Sequence, residues 1–205
     1  MISRCDFQRK SIDKRFTIVL NIGSKEDPCR ISDIDQVFVV NVDIDLWKLP
    51  NFIQCDAHKL PFRDYSFDYV ILGDVLEHLV NPRRGFKEAV RVCRKNGYVV
   101  ITVPLESTWR IGKERKLKEI QKLGYSSFEE WKLKYQAHKG LCIKPIPDDE
   151  IPHTYHIHVF TEEQIIEIIK ENNLEIVEKL KIIELKDPET GIEIPHLLLK
   201  CRKIL

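Results

Sequence analysis

The chain has 205 residues, of which 43% are hydrophobic, and its 33 basic and 32 acidic side chains leave a formal net charge of +1. That length and composition suit one domain with a substantial core, and the balanced charge gives no global field of the kind that marks nucleic-acid or membrane binders. No stretch approaches the roughly 18 apolar residues of a membrane span, and the opening MISRCDFQRKSIDKRF lacks the apolar centre of a signal peptide.

The six cysteines, Cys5, Cys29, Cys55, Cys93, Cys142 and Cys201, are scattered without a CxxC pair. That pattern argues against a zinc site and a disulfide framework, and reads as reduced thiols in a cytoplasmic protein.

In chain order, short β-branched runs alternate with helical patterns through the first half, the signature of a parallel sheet covered by helices. FTIVLN, 16–21, reads as the first strand, and Gly23 beyond it allows a tight turn and a close backbone approach to a ligand. QVFVVNVD, 36–43, is the second and ends on Asp43, twenty residues after Gly23. In a nucleotide-binding sheet that spacing places a carboxylate where it accepts both ribose hydroxyls, with Asp45 as the spare acid. NFIQCD, 51–56, is the third strand, and Asp56 with Ala57 offers a carboxylate and a backbone N–H suited to a purine edge, or alternatively a cap for the next turn. Only LWKLP separates Asp45 from Asn51, so any helix there is short. SFDYVIL, 66–72, is the fourth strand and runs into Gly73 and Asp74. A helix follows, with Asn81 as N-cap, Pro82 in the first turn and Gly97 as the stop. GYVVITV, 97–103, is the fifth strand.

Residues 105–151 break the pattern and are expected to form a helical, lid-like insertion within a single domain spanning 1–205. From Trp109 to Lys139 nine basic residues stand against four acids, with aromatics interleaved. This suits either a lid gripping an anionic or planar acceptor, or a solvated helical pair with its aromatics turned inward. In HTYHIH, alternation puts His156 and His158 on one strand face, and no carboxylate partner is identifiable, so no metal is assigned. Thr161 and Gln164 form a capping box ahead of a last helix, and LEIVEKLKII (174–183) and HLLLKC (196–201) give two further strands.

The run CDAHKLPFRDYSFDYVILGDVLEHLVNPRRGFKEAVRVCRKNGYVVITVP resembles the central block of class I S-adenosylmethionine-dependent methyltransferases, the broad group sharing D-A-x-x-L-P-F-x-D-x-S-F-D. HVFTEEQIIEIIKENNLEIVE, Val159 aside, is similar to that group's segment leading into its sixth strand. The resemblance implies an α/β fold. Its Rossmann-like sheet has seven strands, mostly parallel with an antiparallel last strand, helices on both faces, and here a helical lid after the fifth strand. It also implies S-adenosyl-L-methionine as cofactor. Gly23 would lie beneath its methionine and ribose, with Ser24 offering a hydroxyl. Asp43 would hold the ribose and Asp56 with Ala57 the adenine, while Gly73 and Asp74 face the sulfonium and the acceptor. The chain departs from the group's D-x-G-x-G-x-G loop, with Asn21 in place of the acid and Ser24-Lys25-Glu26 after its one glycine.

Methyl transfer from a sulfonium is an in-line displacement that requires alignment and exclusion of water, so no obligatory catalytic motif is expected. Asp74 and His78 are the candidate catalytic residues, and Trp109, His156 and His158 the candidate substrate contacts, with His153 a further possible base. The expected activity is methyl transfer to a small-molecule, lipid or glycan-type acceptor. Two alternatives stay open, a nucleic-acid methyltransferase using the basic insertion and a non-catalytic binding protein of the same fold. The missing G-x-G-x-x-G argues against a nicotinamide dehydrogenase.

Overall fold

The computed structural model describes residues 2–12, 17–105, 121, 122, 124–126, 130, 158, 160–186 and 193–204. Among these, seven strands form one sheet in the order β3-β2-β1-β4-β5-β7-β6. β1 (Thr17–Ile22), β2 (Val37–Asp43), β3 (Phe52–Gln54), β4 (Phe67–Gly73) and β5 (Cys93–Pro104) pair in parallel. β7 (Glu193–Lys203) runs antiparallel between β5 and β6 (Leu174–Lys186). The mostly parallel sheet with an antiparallel last strand is therefore as expected, although β3 is shorter and the final hairpin longer than the sequence suggested.

The central strands are apolar on both sides because both faces are covered. Leu20, Val70, Leu72, Val99, Ile101 and Leu199 pack on one face and Val19, Tyr69, Ile71, Val100 and Leu198 on the other, the period-two alternation of a strand. The first face is covered by α2 (Pro82–Val92) and α3 (Glu162–Glu171) through Phe86, Ala89, Val90, Ile165, Ile168 and Ile169. Each helix starts where the sequence punctuation placed it. Asn81 Oδ1 accepts from the Arg84 N–H at 3.0 Å, and Thr161 and Gln164 form a reciprocal capping box.

α2 stops at Val92 instead of running to Gly97. Its last carbonyls have partners from outside the helix: the Tyr65 and Ser66 N–H groups donate to Arg91 and Val92, and the buried Lys203 ammonium donates to Val90 (2.7 Å) and Cys93 (2.9 Å). β5 begins at Cys93 and takes a left-handed φ of +60° at Asn96, and Gly97 lies within it, where a Cβ would come 2.7 Å from the Asp68 carbonyl oxygen. Gly97 thus serves a close strand approach at an irregularity in the β4–β5 register.

The second face carries an element the sequence reading did not anticipate. α1 (Arg4–Lys10) opens with a Ser3–Asp6 capping box and packs Phe7 with Ile12, Ile31 and Ile34 over the sheet. Apart from a short turn of helix at Ile31–Asp33 it is the helical cover of that face among the described residues. α1 also corrects the reading of the cysteines as uniformly reduced. Cys5 and Cys29, 24 residues apart, are joined by a disulfide, because docking of α1 brings two positions together that share no sequence motif. Cys55, Cys93 and Cys201 are free, and Cys142 lies outside the described residues.

The expected lid at 105–151, with Trp109, lies largely outside the described residues, as do His153 and His156. Leu105, just after β5, and Phe160, just before α3, pair as a parallel bridge. Among the described residues no helix is long and apolar enough to cross a membrane.

The role of Lys203 in ending α2 is testable. Lys203→Met keeps the aliphatic stem but removes a cation that donates to two buried carbonyls and sits 4.2 Å from the Tyr65 ring centre. It should destabilise the protein by about 1.5–3 kcal/mol in urea unfolding, the usual worth of hydrogen bonds to a charged group.

Candidate functional site

A cleft of about 430 Å³ opens at the carboxyl ends of the parallel strands, between the loops that follow β1, β2 and β4. Of the residues singled out in the sequence, Gly23, Asp43, Asp45, Asp56, Ala57, Asp74 and His78 line it. Ser24, Gly73 and His158 do not.

Gly23 forms the inner end of the cleft. Its φ of +65° is in the left-handed region, and a Cβ there would come 2.4 Å from Val75 Cγ2, so the position requires glycine on both counts. Ser24 lies buried beneath the loop, where its N–H donates to the Val42 carbonyl at 3.1 Å. Asp43, 8% exposed, is the last residue of β2. Its Oδ2 accepts from the Lys25 N–H (2.9 Å) and its Oδ1 from the Asp45 N–H (3.0 Å), so the carboxylate clamps the loops after β1 and β2 together.

Asp56 is fixed by a residue the sequence reading passed over. His58 Nδ1 lies 2.6 Å from Asp56 Oδ1, and the Asn81 N–H points at His58 Nε2 from 3.1 Å. Because Nε2 accepts, the network assigns a neutral ring with its proton on Nδ1, donated to the carboxylate. The imidazole thus joins Asp56 to the start of α2. The sequence signal was present, since an Asp two residues before its partner is a familiar turn pattern. Lys25, Arg84 and Val80 also line the cleft and were not singled out. Cys55 lines it too, but burial first and then the carboxylates of Asp56 and Asp43 push its thiol up to about 12, so it remains protonated at neutral pH and is no nucleophile.

At the far end, Asp74 adopts a left-handed φ of +53°. Its Oδ1 accepts from the Thr102 hydroxyl at 2.9 Å, its Oδ2 pairs with the Arg4 guanidinium, and His196 Nε2 lies 4.0 Å away. Gly73 faces α1, where a Cβ would meet Gln8 Nε2 at 2.4 Å. His78 ends the helical turn Leu76–His78, and the neighbouring Glu77 is 1% exposed. His158 sits behind that turn, donating its N–H to the Glu77 carbonyl at 2.9 Å.

Residues 31–101 match the family model of a methyltransferase domain. A SAM-dependent methyltransferase structure from Methanosarcina mazei aligns with a TM-score of 0.61 at 21% identity, covering 96% of each chain. The chain shares the fold of this methyltransferase. A second structure with this methyltransferase fold, the N-methyltransferase NodS of Bradyrhizobium japonicum WM9 in complex with S-adenosyl-L-homocysteine, has a TM-score of 0.61 at 15% identity, covering 98% of this chain and 85% of that one. Among curated proteins, a demethylmenaquinone methyltransferase of Paenarthrobacter aurescens (strain TC1) is 30% identical over 109 residues, 47% of this chain and 42% of that protein. The chain thus spans less than half the length of such curated relatives.

Glu77 makes this site's stability depend on pH. Burial raises its carboxyl from 4.5 to about 8, against smaller opposing effects that include the charges of Arg4 and Lys25. The folded protein therefore holds a proton that the unfolded chain releases near pH 4.5. The resulting stabilisation is complete below that pH and is lost as pH rises through about 8. Between these limits the wild type should lose up to about 1.4 kcal/mol per pH unit from this group, and Glu77→Gln should flatten that slope in urea unfolding followed from pH 5 to 9.

Proposed function

We propose that the chain, as one methyltransferase domain, is an S-adenosylmethionine-dependent methyltransferase that acts on a small-molecule acceptor. The observation that carries the reading is the joint placement of Gly23 and Asp43 at the ends of adjacent parallel strands, facing one cleft. The cleft volume falls in the range of about 300–1,000 Å³ typical of small-molecule and cofactor sites.

The residues fit the cofactor. The bare backbone at Gly23, which no side chain can occupy, leaves room for the amino-acid and ribose portions. Each Asp43 oxygen accepts one backbone N–H, and a carboxylate has about four acceptor positions, so both oxygens retain capacity for ribose hydroxyls. Asp56, oriented by His58, suits the adenine amine, with the Ala57 backbone beside it. Val42, Leu79 and Val80 provide apolar walls for the base.

When bound, S-adenosylmethionine supplies a methyl group on a sulfonium. The protein's part is to align the acceptor with that methyl and to exclude water. Asp74 marks the acceptor end of the cleft, and His78 is the group available to take a proton from a hydroxyl acceptor. The relative named as a demethylmenaquinone methyltransferase favours a small organic acceptor over a nucleic acid.

Calorimetric titration with S-adenosylhomocysteine should give binding in the micromolar range or tighter. Asp43→Ala should weaken it by about 1.5–3 kcal/mol while leaving the circular dichroism spectrum unchanged. Equal affinity in a folded Asp43→Ala protein would place the ribose elsewhere, and absence of binding by the wild type would remove the cofactor assignment.

A further inference from the structure

The mechanism above makes no use of the disulfide or of the helix that carries it. α1 has seven residues, too few for an isolated helix to persist in water, so its position depends on its anchors. They fall into two groups at the two ends of the cleft. Toward the loop after β1, Cys5 is bonded to Cys29, and the Arg9 guanidinium donates to the carbonyls of Cys29 and Arg30. This is the loop that begins with Gly23 and Lys25 in the cleft wall. Toward the ends of β4 and β5, Gln8 Nε2 donates to Thr102 Oγ1 at 3.1 Å, Thr102 donates to Asp74, and Arg4 pairs with Asp74. One short helix therefore bridges the part of the cleft assigned to the cofactor and the part assigned to the acceptor.

The anchors differ in kind. Those toward Asp74 are polar contacts that break and re-form with small motions, whereas the tie to the cofactor loop is covalent and depends on the surrounding redox state. Cys5 and Cys29 are both half-buried, within reach of a small thiol reagent. Cys93 and Cys201 are fully buried, and burial pushes their thiols up to about 12, which leaves them unreactive by comparison.

We propose that Cys5 and Cys29 form a thiol–disulfide switch through which α1 sets how firmly the cofactor loop is held against the acceptor end of the cleft. In the oxidising direction the thiolate of one cysteine attacks a glutathione-type disulfide, displacing one small thiol and forming a mixed disulfide. The second cysteine's thiolate then attacks the protein sulfur of that intermediate and displaces the other small thiol. Two protein thiols are oxidised, one small disulfide is reduced to two thiols, and the two protons lost by the cysteines are taken up by the departing thiolates. A dithiol reductant reverses both steps. Oxidised, α1 strap and loop move as one body. Reduced, the loop retains the Arg9 hydrogen bonds and the packing of Phe7 with Ile31 and Ile34, and residues 24–30 open more often.

The part of the inference that concerns ligand affinity rests on the cofactor reading above, so the test has one readout that does not. The full-length protein is prepared with dithiothreitol and, separately, with excess oxidised glutathione, and its disulfides are mapped by peptide mass spectrometry after alkylation. Oxidation should produce the Cys5–Cys29 bond and slow amide exchange in α1 and in residues 24–30 by about tenfold relative to the reduced form. S-adenosylhomocysteine should then dissociate several-fold more slowly from the oxidised protein. The double variant Cys5→Ser, Cys29→Ser should match the reduced wild type under both conditions. Cys5 or Cys29 remaining alkylatable after oxidation, or pairing with Cys142 instead, overturns the proposal. So does equal amide exchange in the two states once the bond is verified. If the exchange rates differ but S-adenosylhomocysteine binds neither form, the switch stands and the cofactor assignment fails.

Discussion

Hydrogen bonding of β1 to β2 along one edge and to β4 along the other sends the connections after β1 and β4 in opposite directions, and the cleft occupies the crevice between them. The remaining features of the site follow from that pairing. Asp43 reaches the loop after β1 because β2 lies beside β1 in register, Asn21 opposite Asn41 and Ile22 opposite Val42. Asp74 is brought to the far end because β4 borders β1 on the other side. Apolar side chains on both faces of β1 and β4 hold the register, since a one-residue slip would exchange the two cores.

The loop after β1 shows how this chain manages with a single glycine there. Lys25, Asp27 and Arg30 all have φ between 43° and 53°, a conformation that costs roughly 1–2 kcal/mol for a residue with a side chain. Each strained position is adjacent to a specific anchor. Asp43 takes the Lys25 N–H, the Asp27 carboxylate accepts from the Ile31 and Ser32 N–H groups at 2.9 and 2.8 Å, and Arg9 holds the Arg30 carbonyl. Asn21, standing where the methyltransferases it resembles have an acid, donates to Asn41 Oδ1 at 3.0 Å and so ties the loop's origin to β2. Side-chain anchors here replace the conformational freedom that two further glycines would have supplied.

Features governed by local rules were legible in the sequence. The order of the strands, the caps at Asn81 and Thr161, and the strand-end positions of Gly23 and Asp43 depend on periodicity and short-range hydrogen bonding, and they stand where the pattern put them, whereas β3 stops at Gln54, two residues short of Asp56. Features set by distant partners were not. The end of α2 is decided by Tyr65, Ser66 and Lys203, so Gly97 was mistaken for a helix stop when its role is a close approach to Asp68. The Cys5–Cys29 pairing depends on where α1 docks, which spacing alone does not encode. α1 itself had a local signal in Ser3 and Asp6, obscured by the charged residues around it. His58 was missed for a different reason, because its role depends on Asn81 as much as on Asp56.

The strand order has a consequence for how the molecule is made. β7, the last of the sheet's strands in sequence, lies between β5 and β6 and bonds to both, from Tyr98 to Pro104 on one side and from Leu174 to Lys186 on the other. During translation β5 leaves the ribosome long before its neighbour exists, and its Val99–Val103 edge has every backbone group on that side unpaired until β7 follows. The growing polypeptide therefore carries an open, apolar strand edge while residues 105–192 are made, and that interval is when the edge is exposed to aggregation.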